Sequence, residues 1–331
     1  MQEFKRQYKE ILRDHILKQS EHNLYEGQNV SKQLIQKNIA PEEVISVHKA
    51  SLEEIYPDLP EDVGHSFDLL IEVMIHYGLA LKEHQALIKK QENFKIEMDL
   101  AANVQQTLLK TKVPIIAGVD IGMKSVPAKE MNGDYVHFLS DSTSVGIAVA
   151  DVIGKGIPAA LCMSMIKYGM DSLDGSKADP IEVLDVINRI VEKSVSDSMF
   201  ISMFYGSYEV LKNEFTYASA GHEPPLFYCA KSNEFTELQA KGLLLGVIPN
   251  VKYEQHVITL NHGDFVVIMT DGVTECRSED GFIEQQKVME IIEHVREEPA
   301  QDMVEYVFKE LEKLQDFELR DDFTIVILKK V

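Results

Sequence analysis

The residues of this chain whose type and spacing could do chemistry are four aspartates: Asp134, Asp151, Asp271 and Asp321. Each lies at the end of a stretch that reads as a β-strand. Gly133-Asp134 precedes Tyr135–Leu139, Asp151 ends the run from Ser144, Asp271-Gly272 follows Phe265–Met269, and Asp321-Asp322 precedes Phe323–Leu328. Taken singly, an Asp beside a Gly is a turn or cap residue, because its short carboxylate accepts nearby backbone N–H groups. Taken together, carboxylates at strand ends meet if the sheet edges fold together, and hard divalent cations select oxygen donors of this kind. Without a cation the repulsion is about 4 kcal/mol per pair at ~4 Å and an effective dielectric near 20. No His-x-x-x-His pair and no CxxC cluster occurs, which argues against zinc. Such a site is expected to lose its metal as pH falls, since the ligands must be deprotonated.

The elements that must position these residues centre on Ala150-Asp151-Val152-Ile153-Gly154-Lys155-Gly156-Ile157-Pro158-Ala159-Ala160. The apolar run before it predicts a buried strand, and Pro158 sits in the first turn of a following helix. Strand-like runs also occur at 115–121, 135–139, 203–210, 215–218, 226–228, 265–269 and 323–328. Helical patterns fall at 158–173, 180–197, 285–298 and 300–316. Many hairpin-like strands with a few inserted helices predict an antiparallel α+β domain over residues 113–331.

The preceding part has a different texture. Residues 1–82 predict a small all-α bundle, with helix starts at Pro41-Glu42-Glu43 and Pro60-Glu61-Asp62. The fourth helix is apolar almost all round (Leu69, Leu70, Ile71, Val73, Met74, Ile75), so it is either the centre of the bundle or a self-association surface. Residues 83–112 hold no Pro or Gly. Leu87, Phe94, Ala101 and Leu108 recur every seven positions, with Gln91, Met98 and Gln105 between them. That pattern is a weak coiled-coil seam whose pairing is conditional, or an ordinary helix packed on the second domain. If the seam is the switch, apolar residues at Gln91 and Gln105 should raise partner-independent activity.

The chain has 331 residues, 45% of them hydrophobic, and a net charge of −21 concentrated after residue 112. Such a surface repels nucleic acid and anionic membranes. Three cysteines (Cys162, Cys229, Cys276), no signal-like segment and no run long enough to span a bilayer lead to an expectation of a cytoplasmic protein with buried thiols.

One ordered series of motifs carries a resemblance. Gly133-Asp134-Tyr135, the Ala150–Ala160 stretch, Ala218-Ser219-Ala220-Gly221-His222-Glu223-Pro224-Pro225, Gly242-Leu243-Leu244-Leu245-Gly246, Thr270-Asp271-Gly272-Val273-Thr274-Glu275 and Asp321-Asp322-Phe323-Thr324 resemble the metal-dependent (PPM-type) serine/threonine phosphatases, in their bacterial SpoIIE-type branch. With the helical N-terminus and linker, the whole chain resembles the stress-response phosphatases of that branch. The resemblance implies a two-sheet β-sandwich flanked by helices and a pair of Mn²⁺ or Mg²⁺ ions. Asp151 would bridge both ions, Val152 would give its carbonyl, Asp271 and Asp321 would complete the shell, and Asp134 would bind directly or through water. An activated water would attack phosphorus in line, with no side-chain nucleophile and no phosphoenzyme.

The resemblance also implies a phosphoserine on an anti-anti-sigma protein as substrate. Residues 1–82 would dimerise and bind an RsbT-like switch protein. Lys129 and Lys155 are the nearby candidates for the substrate phosphate, although each type is usually a solvated surface residue. Two positions depart from eukaryotic relatives: Ile153 stands where they carry His, and Asp322 where they carry Asn. The proton donor to the leaving serine is therefore unassigned; His222 is the tempting candidate, with a structural turn role as the competing reading. Two other functions compete: a related phosphatase with a different input, and a catalytically weak regulatory binding protein.

Overall fold

The computed structural model describes residues 2–19, 21–153, 156–173, 179–194, 199–278 and 281–331. The chain divides into two compact units, Met1–Ile96 and Glu97–Val331. In the first, α1 (Gln2–Lys18), α2 (Glu21–Gln36), α3 (Pro41–Ile55) and the start of α4 (Glu61–Leu109) form the helical region. Pro41 opens α3 behind an extended Ala40, where its missing N–H costs no hydrogen bond. Val30, Leu34 and Val47 are buried, and Tyr8 Oη pairs with His48 Nδ1 at 3.0 Å. Gly78 lets α4 close on the start of α3: a Cβ there would lie 3.1 Å from Glu42 Oε2 and 3.3 Å from Pro41 Cδ. Of the apolar fourth-helix residues, Leu69, Leu70 and Val73 are exposed.

The predicted fourth helix and linker are one helix of 49 residues, since no Pro or Gly follows Gly78 until Pro114. Its heptad residues do not form one seam. Leu87 and Phe94 are each 60% exposed, whereas Gln105 is 3% exposed and holds the backbone of Asn132. The expectation that Gln91 and Gln105 are equivalent seam positions is corrected here, because Gln105 is used inside its own unit.

After α4 the chain forms β1 (Val119–Val126), β2 (Asp134–Ser140), β3 (Ser144–Ile153), α5 (Ile157–Asp171), α6 (Pro180–Ser194), β4 (Phe200–Glu209), β5 (Glu214–Ala220), β6 (Leu226–Cys229) and β7 (Glu234–Glu237). There follow β8 (His256–Thr259), β9 (Phe265–Met269), α7 (Asp271–Thr274), β10 (Arg277–Ser278), β11 (Gly281–Phe282), α8 (Gln285–His294), α9 (Ala300–Leu314) and β12 (Phe323–Lys330). Two five-stranded antiparallel sheets result, ordered β1-β12-β9-β6-β7 and β2-β3-β4-β5-β8, beside a small β10–β11 hairpin. The α+β sandwich expected from the sequence is therefore present.

The period-two pattern of β3 explains the layers. Val145, Ile147 and Val149 point between the sheets, where they meet Val266, Ile268, Val326 and Leu328. Ala148 and Ala150 point outward under Met163, Ile166, Leu184 and Ile187 of α5 and α6. Helices α8 and α9 cover the other sheet through Val288, Ile292, Val304 and Val307. Three details differ from the sequence expectation. β1 starts at Val119 because Gly118 turns the chain at φ +84°. β7 and β8 are short, largely polar edge strands without a strong hydrophobic pattern. Asp271 opens a one-turn helix rather than a plain turn.

Candidate metal centre

The β3 pattern that builds the inter-sheet core continues one step to Asp151, so the apolar layer ends in a carboxylate. Asp134 is its direct partner across the β2–β3 ladder, and Ser202 its partner across β3–β4. Directly opposed residues share a sheet face, so all three look toward the other sheet. That sheet answers with hydroxyls: Thr270 Oγ1 donates to Asp134 Oδ2 at 2.8 Å, and Thr324 Oγ1 donates to Ser125 Oγ at 2.9 Å. Asp134 is 2% exposed. Burial, then the charges of Asp151 and Asp322, push its carboxyl well above the usual carboxylate range, against the nearby hydroxyls of Thr324 and Thr270.

Several oxygens converge beside Gly133. A Cβ built there would stand 3.2 Å from Asp322 Oδ2, 3.7 Å from the Val152 carbonyl oxygen and 3.8 Å from Asp151 Oδ1. The Val152 carbonyl oxygen and Asp151 Oδ1 thus face the same point beside Gly133. Asp322, singled out only as a departure, is at the same point. Its Oδ2 accepts the Gly133 N–H at 2.5 Å and its Oδ1 the Ala128 N–H at 2.8 Å.

Asp271 and Asp321 meet on the other side. Gly272 packs so closely on the last loop that a Cβ would fall 2.0 Å from the Asp322 carbonyl oxygen. Asp271 and Asp321 line one hollow of about 230 Å³ with Glu275 and Arg320. Glu223, which the sequence reading gave no role, belongs to this side as well. Burial first, and then the charges of Asp271 and Glu275, raise its proton affinity, while a hydrogen bond from Thr274 Oγ1 lowers it. Its signal in the sequence was its place in the Gly221–Pro225 motif.

Among the described residues, no group of three or more His, Cys, Asp and Glu side chains is assembled as a metal cage. The donors nonetheless fit a hard divalent cation in type and charge: carboxylate oxygens and one backbone carbonyl beside a buried acid whose negative charge is opposed by its neighbours.

Lys129 lines a cleft of about 260 Å³ together with Gly133, Gly156 and Asp322, next to these oxygens. Lys155 lies outside the described residues. Gly156 takes φ +83° at the start of α5, a conformation open to glycine and strained for other residues. His222 is buried behind β4 with its Nδ1 2.9 Å from Ser202 Oγ, and its backbone N–H is held by Ser219 Oγ at 3.1 Å. Burial lowers its pKa to about 4, so it is neutral at physiological pH and braces β4. Of the three predicted buried thiols, Cys162 and Cys276 are buried, and Cys229 is half-buried on the short strand β6.

Comparison with known proteins agrees with this architecture. The Stage II sporulation protein E (SpoIIE) family matches residues 141–331, and the N-terminal domain of phosphoserine phosphatase RsbU matches residues 6–80. Phosphoserine phosphatase RsbU of Bacillus subtilis (strain 168) is 53% identical over 323 residues, covering 98% of this chain and 96% of the relative. The SiaA-PP2C domain of Pseudomonas aeruginosa superposes with a TM-score of 0.62 at 18% identity, over 73% of this chain and 99% of that one. The PP2C phosphatase domain of SpoIIE from Bacillus subtilis, solved with a fragment of its regulatory domain, gives 0.57 at 17% identity, over 64% and 62%. The two-sheet sandwich with strand-end carboxylates is therefore a PP2C-type fold, and the chain belongs to the SpoIIE-type family of metal-dependent serine/threonine phosphatases, as an RsbU-like member.

Proposed function

We propose that this chain removes phosphate from a phosphoserine of an anti-anti-sigma protein, and so activates a general stress-response sigma factor in the cytoplasm. The observation that carries the proposal is the opposed pair Asp134–Asp151 at the end of the inter-sheet core, with the Val152 carbonyl beside it. In this reading Asp134, Asp151, the Val152 carbonyl, Asp271 and Asp321 hold two divalent cations, Mn²⁺ or Mg²⁺. When bound, such cations supply Lewis-acid charge and make water nucleophilic at neutral pH.

The chain's own residues do the rest. The ladder register fixes Asp151 against Asp134, and Asp322 fixes the 128–133 loop through two backbone N–H groups. Lys129 offers positive charge to the substrate phosphate at the mouth of the cleft; Lys155 is the second candidate for that role. His222, buried and neutral, is not the proton donor to the leaving serine.

Residues 1–82 serve as the partner-binding and dimerising domain, 83–112 as the linker and 113–331 as the phosphatase domain. The exposed Leu87 and Phe94 of α4 support pairing with a second copy when an RsbT-like switch protein binds. The relative with the RsbU name and the matched N-terminal domain support this input.

The test uses the full chain, a phosphorylated anti-anti-sigma protein and added or chelated Mn²⁺, with and without the switch protein. Wild-type turnover should require metal and rise with the partner. Asp151→Asn and Asp271→Asn should each lose about 10³-fold or more, on the scale of removing charge-stabilising groups from a catalytic centre. Metal-independent turnover, or full activity of either variant, overturns the reading.

A further inference from the structure

The end of α4 reaches the carboxylates through one side chain. Gln105 Nε2 donates to the Asn132 carbonyl at 2.7 Å, and its Oε1 accepts the Asn132 N–H at 3.1 Å. A side-chain amide thus pairs with one backbone residue at both its donor and its acceptor, as a neighbouring strand would. Asn132 immediately precedes Gly133-Asp134, the start of β2. Its own side chain extends the clamp: Oδ1 accepts the Asp134 N–H at 2.9 Å, and Nδ2 donates to Ser125 Oγ at 2.9 Å. Ser125 Oγ in turn accepts from Thr324 Oγ1 at 2.9 Å, on the strand that follows Asp321-Asp322. Gln105 is 3% exposed, and Ala102 of the same helix packs on Met131 and Ala160. A buried amide with both ends paired tolerates little movement of its partners.

We propose that Gln105 is a positioning residue of the phosphatase centre, holding Asp134 in register with Asp151 by clamping Asn132 to the last turns of α4. A fixed start of β2 keeps the buried carboxylate facing its partner. A helix end that shifts or rotates carries Asn132, and with it the Asp134 N–H, out of place. Ligand placement of this kind is sensitive to errors on the order of 1 Å. The inference rests on the reading of Asp134 and Asp151 as metal ligands, and goes beyond it by giving a residue of the linker helix a part in the centre.

The test titrates Mn²⁺ into full-length wild type, Gln105→Leu, Gln105→Glu and Asp151→Asn. Free ion is followed by electron paramagnetic resonance, and folding by circular dichroism without metal. Gln105→Leu keeps the bulk and loses both hydrogen bonds, so Mn²⁺ binding should weaken about tenfold with native helix and strand content retained. Gln105→Glu keeps the acceptor for the Asn132 N–H and should fall between it and wild type; this variant carries the test if Gln105→Leu does not fold. A purely structural role would lower the unfolding temperature of both variants and leave Mn²⁺ affinity unmoved, which overturns the proposal. Wild type that binds no Mn²⁺, or Asp151→Asn that binds as wild type does, overturns the metal-centre reading, and this inference with it.

Discussion

The two sides of the carboxylate cluster are built by different means. Asp134, buried, and Asp151, half-buried, are the two partners of one rung of the β2–β3 ladder, and their separation is set by the same hydrogen bonds that make the sheet. Asp271 stands on a one-turn helix and Asp321 in an exposed loop; what joins them is the close approach of Gly272 to the Asp321-Asp322 backbone. The first pair is positioned by folding itself. The second depends on the packing of short, irregular segments on each other, and is the side whose geometry is easier to disturb.

Alanine at two glycines separates the sides. Gly272→Ala would place a Cβ 2.0 Å from the Asp322 carbonyl oxygen, a contact that only backbone movement can relieve. The expected result is a loss of turnover of about 10²-fold, the scale of a 1 Å misplacement, with native circular dichroism. Gly133→Ala would place its Cβ 3.2 Å from Asp322 Oδ2, at the tip of a side chain that can give slightly. Here the expected loss is several-fold smaller. Aryl phosphate hydrolysis over a range of Mn²⁺ concentrations measures both, and the reverse order of effects breaks the comparison.

Much of this was readable in the sequence, for a physical reason. The apolar run from Ser144 marked a buried strand with Asp151 at its end, and the Gly-Asp and Asp-Gly pairs marked the other strand ends; the alternation of faces then puts Asp151 on the side of Val145, Ile147 and Val149. The edge strands β7 and β8 were missed because an edge needs no apolar alternation. Glu223 was missed as a neighbour of Asp271 because nothing local says which turn of one sheet faces a turn of the other. Gln105 was misjudged for a similar reason. A glutamine at a heptad position looks like a weak seam residue, and its clamp on Asn132 is a pairing across 27 positions of chain that no periodicity encodes.

The buried pair should also leave a mark on stability. Asp134 has a proton affinity raised by burial and by Asp151 and Asp322, relative to an unfolded value near 3.8. Its stabilising contribution is therefore complete below that value and is lost as pH rises through the raised folded pKa. Metal-free protein should lose stability over that window as pH climbs, and Asp134→Asn should flatten the dependence. Chelated samples melted across a pH series give the measurement. Saturating Mn²⁺ should reverse the trend for wild type, because the deprotonated carboxylate is the form that binds. A wild-type curve no steeper than that of Asp134→Asn would count against the buried pair as a charged centre.

The smallest effect expected has the opposite sign and comes from the brace behind the same pair. His222 is held neutral by burial, with a folded pKa of about 4 against an ordinary value of 6.5. A base whose folded pKa is lowered contributes stability above the unfolded value and loses it as pH falls toward the folded one. The slope over that interval is at most about 1.4 kcal/mol per pH unit. His222 supports Ser202, and Ser202 is the rung opposite Asp151, so acid should loosen the ordered side of the cluster from behind. His222→Gln keeps a polar group near Ser202 and removes the titration, so its unfolding midpoint should fall less between pH 6.5 and pH 4.5 than that of wild type. Equal steepness in the two proteins would mean that His222 is not the group whose protonation drives this acid limb, and that the ordered side draws its rigidity from the ladder alone.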